Sequence, residues 1–427
     1  MRELRSVGLL VVLAVLAAGC AARTATVSPS PQPEQAGARL QAGYRALQDS
    51  DLRAAEQAFQ EAHRLDPTAS APLLGLAEVA RLRNDPDGAE RWLRKALEVA
   101  PNDATTHWAW GRYEFGRKRY REAEASFRRA IELNANWFLA HIDLADLYMT
   151  ALKKPEEAVK AYREAIRINP YHAGAHHGLG MALWTLRRLE EAEASFLEAA
   201  RLDRLNPLPH QALGRLYLAW RKPKQALHAF SEVLRLQPNF VPALLDRGDA
   251  YLAQGRTDAA IADYRRATEV APTNAAAWFK LGAAYHLKRR QTEAERAYRQ
   301  AIRVNPNSAP AYNNLAWLLA RSHRNLDEAL SLANRAVALA PKVSDFHDTL
   351  GMVHLQRGEL DAAIAAFRKA TSSDPSRAEY YYRLGVAYSR KGDRDQAILA
   401  LRKALQIRKD FSEAAAARKE LSRLTGR

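Results

Sequence analysis

The stretch from Trp278 to Pro306 reads WFKLGAAYHLKRRQTEAERAYRQAIRVNP. Its skeleton is Trp278, Leu281, Gly282 and Tyr285, followed by Ala294, Tyr298, Ala301 and Pro306. Gly282 and Ala294 leave room for two antiparallel helices to cross closely, and Tyr285 and Tyr298 fill the space beside them. Pro306 lacks the amide hydrogen that a helix needs and ends the second helix.

The same skeleton recurs through most of the chain. The helix-ending mark falls at Pro67, Pro101, Ala135, Pro170, Arg204, Pro238, Pro272, Pro306, Pro341, Pro375 and Lys409, in steps of 34 residues with two of 35. A small residue marks each first helix: Gly43, Ala77, Gly111, Ala145, Gly180, Gly214, Gly248, Gly282, Ala316, Gly351 and Gly385. An alanine keeps the same phase in each second helix, from Ala55 and Ala89 to Ala363 and Ala397. Eleven helix–turn–helix units are expected over about Ala36 to Lys409.

This pattern resembles the tetratricopeptide (TPR) repeat, with Tyr298 where the family usually places phenylalanine, and its period excludes ankyrin-type units. The resemblance implies an all-α solenoid, a right-handed superhelix in which each unit buries its core against its neighbours. Repeats four and nine each gain a residue, read into the turns at Lys153-Lys154-Pro155 and Ser322-His323-Arg324. Repeat five lacks its closing proline at Arg204, and Pro207 and Pro209 restart the chain direction. Ala333 stands where an aromatic is expected, so repeat nine should pack less fully. Residues 410–427 form a capping helix with Phe411, Ala414, Leu421 and Leu424 on one face.

The composition, rich in Ala, Leu, Arg and Glu, favours helices. The formal charge over 427 residues is +16. At the amino terminus, Arg2 and Arg5 precede an apolar run from Val7 to Ala18, too short to span a bilayer comfortably but suited to a signal peptide. The run ends in Leu16-Ala17-Ala18-Gly19-Cys20, and Cys20 is the one cysteine of the chain. This resembles a bacterial lipobox, although Ala17 stands where leucine is commonest. The resemblance implies residues 1–19 as a signal peptide and Cys20 as the lipidated new terminus. Ala21 after the cysteine implies the outer membrane, facing the periplasm. The alternative is an ordinary signal peptide cut nearby, with Cys20 incidental. A single cysteine excludes an internal disulfide or a Cys-based zinc site. Residues 20–35, with three prolines, read as an extended tether. At about 3.1 Å per residue it reaches some 40–45 Å.

In TPR proteins the concave wall is lined by first-helix residues offset from the packing stripe. Carried over by position, the groove candidates are Trp108, Arg112, Phe115, Trp184, Arg215, Phe279, Trp317 and Tyr382, with Asp146, Met149, His177, Met181, Gln211, Asp249, His286, Asn313, Asp348 and Met352 on the same wall. Trp, Tyr, Met and Arg anchor interfaces, but the same rings could pack between adjacent first helices. The two-Lys, two-Asn set that grips a peptide carboxylate in some chaperone-binding TPR domains is absent.

Basic residues fill the turns between paired helices: Arg117, Lys118 and Arg119; Arg187 and Arg188; Lys288, Arg289 and Arg290; and also Lys153-Lys154, Arg221-Lys222 and Arg390-Lys391. Along a solenoid edge they would form a basic ridge, suited to an anionic glycan or membrane surface, or simply a soluble face offset by nearby acids. No nucleic-acid signature accompanies the charge. His172, His176 and His177 cluster, but no third metal ligand is evident. No phosphate loop, nucleophile elbow or paired-carboxylate site appears, so neither a catalytic residue nor a cofactor is expected. The expected function is a lipid-anchored scaffold of the bacterial envelope that holds a protein or extended peptide in its groove. Such a scaffold would serve a pilus, secretion or exopolysaccharide assembly. The alternative is an anionic glycan or membrane surface held on the basic edge.

Overall fold

The computed structural model describes residues 31–426, so the signal sequence, Cys20 and residues 20–30 of the tether lie outside the described residues. Among the described residues there are 23 α-helices, eleven antiparallel pairs and a last single helix, and no strand. The described residues divide into two compact units, with the boundary between Leu216 and Tyr217.

The first unit contains α1 (Pro31–Gln48), α2 (Leu52–Leu65), α3 (Ser70–Leu82), α4 (Pro86–Val99), α5 (Ala104–Gly116), α6 (Tyr120–Leu133), α7 (Phe138–Leu147), α8 (Pro155–Ile168), α9 (Ala173–Thr185) and α10 (Leu189–Leu202). Helix α11 (Pro207–Ala219) carries the chain from one unit into the next. The second unit continues with α12 (Pro223–Leu236), α13 (Val241–Ala253), α14 (Thr257–Val270), α15 (Ala275–Leu287), α16 (Gln291–Val304), α17 (Ala309–Arg321), α18 (Leu326–Leu339), α19 (Ser344–Arg357), α20 (Leu360–Ser373), α21 (Ala378–Lys391), α22 (Arg394–Ile407) and α23 (Ala414–Thr425).

Second-helix rings pack against first-helix glycines in several repeats, as Phe127 does on Gly111, Tyr298 on Gly282 and Phe367 on Gly351, and the first repeat does so on two sides. Phe59 of α2 is fully buried, and a Cβ placed on Gly43 of α1 or on Gly75 of α3 would come within 2.5 and 2.7 Å of its ring. One ring therefore wedges between the first helix of its own repeat and that of the next, and only glycine admits it from either side. Apolar burial of this kind contributes about 25 cal/mol per Å².

Second helices end as the prolines dictate. Asn305, before Pro306, leaves the helix at φ −131° and ψ 94°, the extended region that a following proline imposes. Asn134 and Asp203 take similar angles before Ala135 and Arg204. The bend thus survives where proline is missing, because packing holds it.

Three local differences from the sequence reading have physical causes. The tether does not extend to Gln35: α1 starts at Pro31, since proline is tolerated in a first turn where amide hydrogens have no intrahelical partner. The extra residue of repeat four is absorbed by a π-helical turn over Tyr148–Leu152, with Lys153 left-handed at φ 56°. It lies at the end of the first helix rather than wholly in the loop. The extra residue of repeat nine does sit in the turn, where His323 and Asn325 both take positive φ. There Ala316 and Ala333 are both fully buried, two small side chains where other repeats set a glycine against a ring.

Candidate partner-binding site

In the first unit, some of the wall residues are used for internal packing. Trp108 is 3% exposed. Its indole nitrogen donates to Asp143 Oδ2 at 2.6 Å, its ring lies 5.1 Å from that of Trp137, and Arg112 stacks over it at 4.9 Å. It is a joint between α5 and α7, and it is removed from the groove candidates because a partner cannot reach it. Arg112 remains exposed, and Phe115 is half-buried against Tyr120. Trp184 is half-buried, Met181 and Arg215 are exposed, and His177 packs beside Phe196. Tyr162 donates to Asp146. His172 and His176 serve the backbone: His172 Nδ1 accepts from the Ala175 amide at 3.0 Å, and His176 Nε2 meets the Pro170 carbonyl at 2.9 Å. Among the described residues no group of three or more His, Cys, Asp or Glu is placed to hold a metal ion.

In the second unit, four successive first helices turn one face toward a shared cavity of about 430 Å³. Helix α15 supplies His286; α17 supplies Asn313, Asn314 and Trp317; α19 supplies Asp345, Asp348 and Thr349; α21 supplies Glu379, Tyr380 and Arg383, with Arg377 at its cap. The rings of His286 and Trp317 lie 4.7 Å apart, with Arg321 over the indole at 4.8 Å. Thus His286, Asn313, Trp317 and Asp348 of the expected wall do come together. Phe279 lies beside Tyr298 and Tyr382 beside Phe411. Asp249 accepts from Tyr264 and Lys280.

The electrostatics of the cavity are built from half-used carboxylates. Asp348 accepts from Arg383 through Oδ2, while Oδ1 is buried without a partner. Burial pushes its carboxyl up to about 7, against the pull of Arg383. Glu379 pairs with Arg408 at 3.4 Å through Oε1 and leaves Oε2 buried and unpaired. Asn313 donates to Asn314 at 3.2 Å and leaves its own Oδ1 unpaired. Asp345 accepts through Oδ1 from both Arg377 at 3.1 Å and Tyr380 at 2.5 Å. Burial, and after it the charge of Arg321, lowers the pKa of His286.

Asp345, Glu379 and Arg383 were missed in the sequence. Asp345 and Glu379 precede the wall position by one helical turn on the same face, as Asp345 precedes Asp348. Carrying the stripe one turn toward each helix start would have found them.

The basic edge is partly neutralised. Arg119 meets Glu90 at 3.5 Å and stacks over Trp110 and Tyr113. Arg188 pairs with Glu191 at 2.6 Å, Arg290 with Glu293 at 2.6 Å, Lys288 with Asp258 at 2.8 Å and Lys391 with Asp361 at 2.5 Å. Several of these pairs join a turn to the second helix of the preceding repeat, as Lys154 does with Glu124 at 3.5 Å. Arg117, Lys118, Arg187 and Arg289 are exposed and have no carboxylate partner among the described residues. Lys118, Arg187 and Arg289 occupy the left-handed turn position at φ 63°, 62° and 58°. These residues belong to turn geometry and inter-repeat pairing, and a continuous basic ridge is not what the pairing leaves.

A stack of helix pairs that presents a polar recess and aromatic wall residues defines a protein-interaction scaffold. Tetratricopeptide repeat models match residues 46–109, 109–173 and 142–207, 248–288 and 351–392, 275–308, 297–331, and 378–411. The chain belongs to the tetratricopeptide repeat family. No curated protein matches it. Among solved structures it is similar to the APC/C hetero-tetramer Cut9–Hcn1, at 14% identity over 93% of this chain and 96% of that one, with a TM-score of 0.49. It is also similar to Pseudomonas aeruginosa pilF, at 21% identity over 53% and 100%, with a TM-score of 0.46. A third is YrrB, described as a TPR protein with an unusual peptide-binding site, at 26% identity over 43% and 95%, with a TM-score of 0.38.

Proposed function

We propose that this chain is a scaffold of the bacterial cell envelope, tied by lipid at Cys20 to the outer membrane and facing the periplasm. It holds a protein or extended peptide along its first-helix wall, in the service of an assembly or export machine of the pilus, secretion or exopolysaccharide kind. The observation that carries the binding reading is the recess shared by four successive first helices around Trp317. The lipid reading rests on Leu16-Ala17-Ala18-Gly19-Cys20. Stacked repeats pre-organise the surface, so a partner loses little free energy to ordering it. The work assigned to the protein is display, without a catalytic step.

The test compares wild type, Cys20→Ser and Trp317→Ala by crosslinked capture from envelope fractions. Wild type retains specific partners that Trp317→Ala loses, and Cys20→Ser leaves the membrane after a salt wash. Cys20→Ser remaining on washed membranes would remove the lipid anchor. Identical recovery by wild type and Trp317→Ala would remove the groove.

A second reading, capture of an anionic glycan, keeps only the unpaired Arg117, Lys118, Arg187 and Arg289 in its favour. Binding of that kind collapses between low and moderate salt, which capture in the groove does not.

A further inference from the structure

We propose that the recess around Trp317 receives a lysine or arginine side chain of the partner polypeptide. This rests on the scaffold reading and adds to it the chemistry of the group held.

The unpaired atoms decide the class of ligand. Asn313, Asp348 and Glu379 all line the recess, and Asn313 Oδ1, Asp348 Oδ1 and Glu379 Oε2 are buried without a hydrogen-bond partner. Every one is an acceptor, and two belong to carboxylates. Asp348 is only 6% exposed, so the cost of leaving its oxygen unpaired is that of a desolvated polar group. Acceptors of this kind call for a group that only donates. An ammonium carries three donors and a guanidinium five, and neither accepts.

The charges agree. Around the recess Asp345, Asp348, Asp374, Glu379 and Glu413 stand against Arg321, Arg377, Arg383 and Arg408. The arginines are already committed: Arg377 to Asp345 and Asp374, Arg383 to Asp348 and Glu413, Arg408 to Glu379, and Arg321 to the face of Trp317. With Asp348 ionised, one carboxylate remains in excess, in a chain whose overall charge is +16. A carboxylate ligand would leave all three acceptors unpaired and add repulsion. The half-buried ring of Trp317 offers apolar surface for the methylene stem of a lysine or arginine.

Binding is linked to the proton on Asp348. A cation beside it favours the carboxylate form, so affinity strengthens as pH rises from about 6 to 8. Asp345, Glu413, Arg377 and Arg383 bear on the same carboxyl and set its titration, and burial lowers the pKa of His286 across the recess.

The test uses the full chain and capped glycine peptides with one central residue: lysine, arginine, Nε-acetyl-lysine or glutamate. The lysine or arginine probe binds with a Kd on the order of 1 mM, and the acetyl-lysine and glutamate probes do not reach it. Asp348→Asn weakens the basic probe about tenfold, as loss of a charged hydrogen bond does. Glu379→Gln repeats the test at a site that leaves the Asp348–Arg383 pair intact. Helicity by circular dichroism checks that both variants fold. Glutamate or acetyl-lysine probes binding as tightly as lysine, or basic probes indifferent to both variants, would overturn the proposal. If Trp317→Ala still abolishes envelope capture while Asp348→Asn and Glu379→Gln leave it intact, the scaffold stands and the cationic ligand falls.

Discussion

Tyr264 is pinned against Gly248: a Cβ on that glycine would stand 2.3 Å from the ring, and the Tyr264 hydroxyl donates to Asp249 Oδ1 at 2.6 Å. The ring is fully buried, so it cannot swing aside without breaking that hydrogen bond. Gly248→Ala gains about 1 kcal/mol of helix propensity and loses about 1–3 kcal/mol to overpacking. The expected net effect in urea unfolding is destabilisation of up to about 2 kcal/mol. Gly37→Ala, where a Cβ meets nothing within 4 Å, should be neutral or stabilising. Equal gains in both variants would contradict the close contact.

Asp263 is 6% exposed and held by Arg247 Nε and Nη2, at 2.8 and 2.7 Å. Arg247→Met leaves a buried carboxylate alone and should cost about 3–5 kcal/mol. The double variant Arg247→Met, Asp263→Leu removes the orphan and should recover most of the loss. A double-mutant cycle on the midpoint of unfolding checks the coupling, and strict additivity would sink the claim.

The folded-state pKa of Asp348, about 7, lies above its ordinary 3.8. Between those values the native protein keeps a proton that the unfolded chain releases. Stability is therefore highest below the window and falls as pH rises through it. Asp348→Asn has no proton to lose, so wild type should lose stability relative to this variant from pH 4.5 to 7.5 (a range of about three units). Parallel unfolding midpoints across that range would refute the shift.

On the turn edge, Arg119 is tied to Glu90 and stacked on two rings, whereas Arg117 and Lys118 are not paired. Replacing Arg117 and Lys118 together by glutamate should change stability by no more than about 0.5 kcal/mol. Arg119→Ala should cost about 1 kcal/mol. Thermal melts distinguish the two, and the reverse order would return Arg117 and Lys118 to a structural role.

The wall was partly readable from residue positions. His286, Asn313, Trp317 and Asp348 lie at offsets from the glycine ruler and converge on the recess. Trp108 occupies the same offset as Asn313 and Asp348, yet Asp143 on the next first helix captures its indole. An offset gives the direction of a side chain, but the neighbouring repeat decides whether it stays in solvent. The pairing of the basic turns has the same origin. Lys288 meets Asp258 and Lys391 meets Asp361 across thirty positions of chain, pairs that arise only when repeats are stacked.

The repeating fold is a property of the sequence alone, because its cause is local. Glycine and alanine at a fixed period permit close helix crossing, and proline or packing ends each second helix. Which polar atoms would be left wanting a partner was settled only by tertiary structure. Hydrogen bonds and ion pairs are short-ranged, and whether Asp348 has one oxygen satisfied or two depends on where Arg383, a repeat away, finally comes to rest.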